Sequence, residues 1–159
     1  MKIEYKNTVL LVRDIHISKR FYIDILNQQI EIDLGLNIIF RSGISLWELR
    51  NYLPITKMLG TERLQYSKAN KLELYFETED LSETENLLKE SRVSFLHHIH
   101  EEPWGQKTIR FFDPDDHLIE IGEKMEVFVK RFHDSGMNAE QISNRTSIPE
   151  KLIADLLKK

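Results

Sequence analysis

The chain contains no cysteine, which excludes a disulfide framework, a thiolate zinc site and a cysteine nucleophile. Any metal must therefore be held by His, carboxylate or amide groups. It also has no long apolar run, so no segment approaches the roughly 20 residues that a membrane-spanning helix needs. The start, Met1-Lys2-Ile3-Glu4-Tyr5, lacks the apolar core of a secretion signal. A soluble cytoplasmic protein that contacts no membrane is the expectation. What is present, 159 residues of which 41% are apolar, suits one domain of ordinary size with an appendage. The net charge of −4 is unevenly spread: residues 124 to 159 hold 7 Lys+Arg against 5 Asp+Glu, leaving 15 against 21 for residues 1 to 123. An acidic body argues against nucleic-acid binding there; the mildly basic tail leaves that reading open for itself alone.

Two similar runs of elements precede the tail. Residues 5 to 13 read as a strand, and Asp14 can cap a helix with an apolar face at Ile17, Phe21, Ile25 and Leu26. Gln29 to Leu34, Asn37 to Phe40 and Ile44 to Leu49 then read as an antiparallel meander, broken at Gly35 and Gly43. After a connector around residues 51 to 70, Leu72 to Thr78 reads as a strand. Asp80 or Ser82 caps a helix carrying Leu87 and Leu88, and Val93 to Ile99, Lys107 to Phe112 and Leu118 to Ile121 are three further strands. An offset of 66 places Asp14 on Asp80, so the βαβββ order repeats as pattern rather than as identity. Two such modules can pair over a cavity suited to a small molecule.

The segment from Arg110 to Glu123 holds the most informative residues. Pro114 and Asp115-Asp116 form a turn between two strands. Alternation then puts Leu118, Glu120 and Gly122 on one face and Ile119 and Ile121 on the other. Glu120 is thus either a solvated outer residue or a carboxylate facing a cavity. Arg110 either meets an anionic ligand or pairs with Glu120 across adjacent strands. Trp104, between Pro103 and Gly105, is either a pocket wall or a hydrophobic plug. Among His97, His98 and His100, strict alternation puts His98 and His100 on one face and His97 on the other, as edge residues rather than a metal cluster. In the tail, Met125 to Asp134 has helical spacing and stops at Gly136. Asn138 caps Ala139 to Arg145, and Pro149 opens a last helix bearing Leu152, Ile153, Leu156 and Leu157. The arrangement resembles a helix-turn-helix, but Glu150 and Asp155 on its last helix oppose phosphate binding, so a packing or dimer role is expected and nucleic acid is not.

The duplicated βαβββ order, Phe21-Tyr22 with Leu26-Asn27, Pro103-Trp104-Gly105-Gln106, and Asp113-Pro114-Asp115 with Leu118-Ile119-Glu120 together resemble the glyoxalase/bleomycin-resistance/dioxygenase group, the vicinal oxygen chelate superfamily. The resemblance spans roughly residues 3 to 123. It implies an α+β fold of two pseudo-symmetric modules forming an open eight-stranded barrel, here a domain over residues 1 to 123 with a helical extension over 124 to 159. It further implies a homodimer and a small-molecule ligand, oxygenated or anionic. That group holds lyases, isomerases and dioxygenases as well as metal-free drug-sequestering proteins, so enzyme and binder both stand as readings. Metal-using members draw ligands from the first and last strand of each module. Carried onto this chain, those positions are Asn7, Trp47 or Glu48, Glu73 and Glu120, without the usual histidines. Glu48, Glu73 and Glu120 are then the candidate metal ligands, for Mg, Mn, Ni or Zn, or for no metal at all. Glu120 is the candidate catalytic carboxylate, and Trp47, Trp104 and Arg110 are the candidate substrate contacts. Carboxylates converging without a metal would require protonation or arginine pairing.

Overall fold

Two aspartates set the frame of the chain. Asp14, in extended backbone, accepts hydrogen bonds from the amides of His16 (2.9 Å) and Ile17 (3.1 Å). Asp80 does the same for the amide of Glu83 (2.8 Å). Each satisfies amides that the first helical turn leaves without partners. The computed structural model describes residues 3–58 and 72–158; residues 59–70 of the expected connector lie outside them.

The first module runs β1 (Thr8–Val12), α1 (Ile15–Arg20), β2 (Ile30–Asp33), β3 (Asn37–Phe40) and β4 (Ile44–Glu48). Helix α1 widens into a π-helical turn at Phe21–Ile25. The second runs β5 (Glu73–Thr78), α2 (Leu81–Glu90), β6 (Ser94–Glu101), β7 (Lys107–Phe112) and β8 (Leu118–Glu123). Each module is a four-stranded sheet in which the first strand pairs parallel to the last, in the orders β1-β4-β3-β2 and β5-β8-β7-β6. The expected α+β architecture of repeated βαβββ modules is therefore present.

In both modules one sheet face packs its helix. Leu10, Val12, Ile38, Phe40 and Leu46 are buried in the first, with Ile109, Phe111, Ile119 and Ile121 in the second. The helix faces match the expected ones in part. Phe21, Leu26 and Leu88 are buried as expected, joined by Ile15, Ser18, Tyr22 and Leu81, whereas Ile17 and Leu87 are exposed. The apolar spacing around Ile17 fits a regular helix, whereas the π-helical turn shifts the angular position of the residues from Phe21 onward.

The chain divides into two compact units, one of residues 1–72 with 113–117, the other of residues 73–112 with 118–159. The turn between β7 and β8 thus belongs to the first unit. Asp116 takes a left-handed conformation (φ 67°) where glycine is easiest. Asp113 compensates: its Oδ1 accepts from the amides of Asp115 (2.9 Å) and His117 (2.8 Å). Asp115 binds the Ser18 hydroxyl (2.6 Å) and the Arg13 amide and Nε, while the buried Tyr22 hydroxyl donates to Asp113 (3.0 Å).

The tail forms α3 (Met125–Asp134), α4 (Ala139–Thr146) and α5 (Glu150–Leu156), all within the second unit. Its own small core is Phe128, Val129, Phe132, Ile142, Ile148 and Ile153. Asn138 and Gln141 form a reciprocal capping box at α4. No helix among the described residues is long and apolar enough to cross a membrane.

Candidate functional site

The face of the second sheet opposite α2 is polar. Register places Tyr75 beside Glu120, Glu120 beside Arg110, and Arg110 beside His97, in one row across four strands. The cross-strand pairing expected of Arg110 and Glu120 is there, and it is one of several. Arg110 donates from Nε to Glu73 (2.7 Å), from Nη1 to Glu102, and from Nη2 to Glu120. A second Nη1 contact reaches His97 Nε2 at 3.2 Å. His97 Nδ1 lies 2.7 Å from the His98 carbonyl, so a ring protonated at Nδ1 satisfies both contacts.

Three carboxylates thus surround one guanidinium, and burial and neighbours shift two of them in opposite directions. Burial pushes the Glu120 carboxyl up and Glu73 pushes the same way, against the pull of Arg110. Glu102 is also penalised by burial, yet hydrogen bonds from Arg110 and Thr108 hold it below the usual range. Arg110 stays charged, because its carboxylate partners outweigh its own desolvation.

A second chain of contacts runs along the same face. Trp104 Nε1 donates to Gln106 (3.2 Å), Gln106 Nε2 donates to the Tyr75 hydroxyl (2.7 Å), and that hydroxyl donates to Glu77 (3.0 Å). Gly122 makes this crossing possible: a Cβ there would lie 2.6 Å from Gln106 Nε2 and 3.0 Å from the Tyr75 oxygen. Trp104 is 41% exposed and Tyr75 50%, so both rings offer surface to a ligand. Gln106, absent from the candidate residues, joins them; its signal was the glycine that comes two residues after Glu120, on the same strand face.

The histidines correct strict alternation. Irregular pairing between Phe95 and His97, and again between His97 and His100, shifts the strand register. As a result His97 and His100 share a face, their rings 5.8 Å apart. His98 turns the other way, its ring 4.3 Å from that of Phe95 and tilted to it by 35°, and reaches Glu85 of α2 at 3.2 Å.

The matching positions of the first module are defined by register. The offset of 66 sets Val9 on Tyr75; Val9 pairs with Ser45 and Tyr75 with Glu120, so Ser45 is the counterpart of Glu120. Ile39, beside Ser45, is likewise the counterpart of Arg110, and Asn7, which donates to Ser45, is that of Glu73. Trp47 and Glu48 fall on opposite faces of β4. Glu48 lies on the helix side, buried, accepting from the Ile15 amide (3.0 Å) and paired with Arg50 (2.5 Å). Its counterpart is Glu123, which accepts from the Lys107 amide (2.9 Å). Trp47 is on the opposite face, the one that carries Ser45.

This donor set does not suit a metal. Arg110 already holds Glu73 and Glu120, Glu48 closes a helix start, and Asn7 is engaged by Ser45. Among the described residues no group of three or more His, Asp or Glu side chains is arranged to hold an ion.

Comparison with known proteins agrees with the fold. No curated protein matches. A protein of unknown function from Agrobacterium tumefaciens str. C58 is similar at 31% identity and TM-score 0.63, over 79% of this chain and 97% of that one. A glyoxalase/bleomycin resistance protein/dioxygenase family enzyme from Burkholderia phytofirmans PsJN shares the fold at 14% identity and TM-score 0.60, over 76% and 98%. A lactoylglutathione lyase from Agrobacterium tumefaciens does so at 19% and 0.53, over 74% and 91%. The model of the glyoxalase-like domain matches residues 5–126. Repeated βαβββ modules, an aspartate-capped helix in each, and that match over most of the chain lead to one conclusion: this protein belongs to the glyoxalase-like domain family.

Proposed function

We propose that the protein binds a small molecule without a metal, recognising a cationic or hydrogen-bond-donating group at the outer face of the second sheet. The observation that carries this reading is the enclosure of Arg110 by Glu73, Glu102 and Glu120. Four of the roughly five N–H groups of that guanidinium are already committed. An anionic ligand would have to displace a carboxylate to reach it. One positive group facing three acidic ones leaves negative charge in excess, and Trp104 and Tyr75 supply exposed aromatic surface beside it. Acidic groups next to aromatic faces favour an ammonium, amidinium or guanidinium ligand. Glu120, whose carboxyl retains its proton more readily than usual, gives the face a group that can exchange a proton with what binds there.

Matched aromatic probes test this reading. Benzylamine, benzamidine and benzoate differ in charge around one ring, and each is titrated into chelator-treated protein while tryptophan emission is followed. The two cations are expected to bind, benzoate is not, and Glu102→Gln is expected to weaken the cations. Benzoate binding as tightly as the cations, or binding that requires an added divalent ion, overturns it.

A further inference from the structure

We infer that Arg131, on the first of the C-terminal helices, is a positioning residue that sets the Trp104–Gln106 wall of the second sheet's outer face. The loop between β6 and β7 carries three groups of that face, Glu102, Trp104 and Gln106, in a tight turn closed by Gly105 N to Glu102 O at 2.7 Å and Glu102 N to Gln106 O at 2.8 Å. The tail grips this turn from behind. Arg131 Nη2 donates to the Gly105 carbonyl (2.8 Å) and to Glu123 (2.8 Å). The same Glu123 oxygen accepts from the Lys107 amide (2.9 Å), and the Glu123 carbonyl accepts from Gln106 Nε2 (2.8 Å). One guanidinium therefore spans both ends of the segment that presents Trp104 and Gln106.

Close packing reinforces the grip. A Cβ on Gly105 (φ 90°) would lie 2.3 Å from the Phe132 ring, so the turn rests directly on the helix. Arg131 and Arg145 lie against that ring at 4.9 and 4.6 Å, and both pair with Glu101 at the end of β6. Arg131 Nε is buried and, among the described residues, has no partner. Stability alone would not favour that placement, and it accompanies the two contacts that Nη2 makes with Gly105 and Glu123. The match to the family model ends at residue 126, so this support is added to the family domain by the helices beyond it. It also engages Arg131 of α3 and Arg145 of α4 within the protein rather than leaving them to phosphates.

The inference rests on the outer face being the ligand site, but its test requires no ligand. In full-length Trp47→Phe protein, Trp104 is the remaining one of two tryptophans, and acrylamide quenching reads its exposure. Arg131→Met is expected to raise the Trp104 quenching constant by about twofold, measured well below the unfolding midpoint with unchanged far-UV circular dichroism, because the loop opens locally. Arg131→Lys, which keeps a cation able to reach Gly105 O or Glu123, is expected to restore it part way. Arg145→Met, at a half-exposed position, is expected to give a smaller rise in the same direction and supplies the test if Arg131→Met does not fold. An unchanged constant in the folded variants overturns the inference, whatever the matched probes show.

Discussion

The two modules share a strand order, a helix and a capping aspartate, yet their outer faces differ at every register-matched position considered. Where the first has Asn7, Ile39 and Ser45, the second has Glu73, Arg110 and Glu120. The helix-side faces are alike: both are apolar, and each module's last strand ends in a buried glutamate that accepts a backbone amide, Glu48 from Ile15 and Glu123 from Lys107. The fold is thus carried by one face of each sheet, and the other is free to differ. At these register-matched positions the ionisable groups lie on the second module alone.

The comparison is broken most severely at Arg110. Arg110→Met leaves three carboxylates without their cation and is expected to cost on the order of 3–5 kcal/mol, read by urea unfolding. Ile39→Val, at the matched position, is expected to cost only about 0.5–1.5 kcal/mol. Adding Glu120→Gln to Arg110→Met should recover part of the loss. If Arg110→Met is neutral, the carboxylates are not held by that cation and the asymmetry loses its meaning. Next in size are the paired glutamates. Glu48→Ala and Glu123→Ala each strip the acceptor from a backbone amide, so each is expected to cost about 1–3 kcal/mol. Similar losses sharpen the equivalence drawn from register; a large loss at one alone breaks it.

Smaller effects separate the faces further. Gly122→Ala pushes on Gln106 Nε2 and so on its bonds to Tyr75 and the Glu123 carbonyl; stability is expected to fall by about 0.5–1.5 kcal/mol while the benzamidine-induced fluorescence change shrinks. Ser45→Ala, on the matched strand, should leave that signal intact. The least effect is expected from His117 in the first unit. Burial alone would lower its pKa, but the hydrogen bond to Asp113 (2.9 Å) and the neighbouring aspartates raise it above the ordinary 6.5. The folded state then holds that proton more tightly than the unfolded state. The resulting stability is complete below 6.5 and is lost as pH rises through the folded value. In His117→Asn, unfolding midpoints measured from mildly acidic to mildly alkaline pH should lose this downward slope. An identical slope in the variant would show that another group titrates there.

Much of the fold was legible because it depends on periodicity and punctuation. The two aspartate caps, the meander broken at Gly35 and Gly43, and Glu120 on the face opposite Ile119 and Ile121 all follow from local chemistry. Residues that depend on an irregularity were not legible. The π-helical turn shifts the residues from Phe21 onward relative to a regular helix, and the irregular β6–β7 pairing placed His97 with His100. The site was half legible. Strand spacing could pair Arg110 with Glu120, but Glu102 arrives from a loop and Glu73 from a parallel strand 37 residues away, so no window of sequence contains the cluster. Glu48 resembles a possible ligand in sequence because a glutamate near a strand end looks alike on either face until the register is known.

The turn of residues 113–117 bears on how the protein is made. Tyr22 and Ser18 are fully buried, and their hydroxyls rely on Asp113 and Asp115, acceptors 91 and 97 residues downstream. At synthesis rates of about 5–20 residues per second, the first unit waits several seconds for groups that complete it. Until then a nascent chain carries two hydroxyls that cannot be buried with these partners, which costs the first unit stability while the second half is being built. Release of the chain before residue 117 would leave the earlier half unfinished as well as the later one.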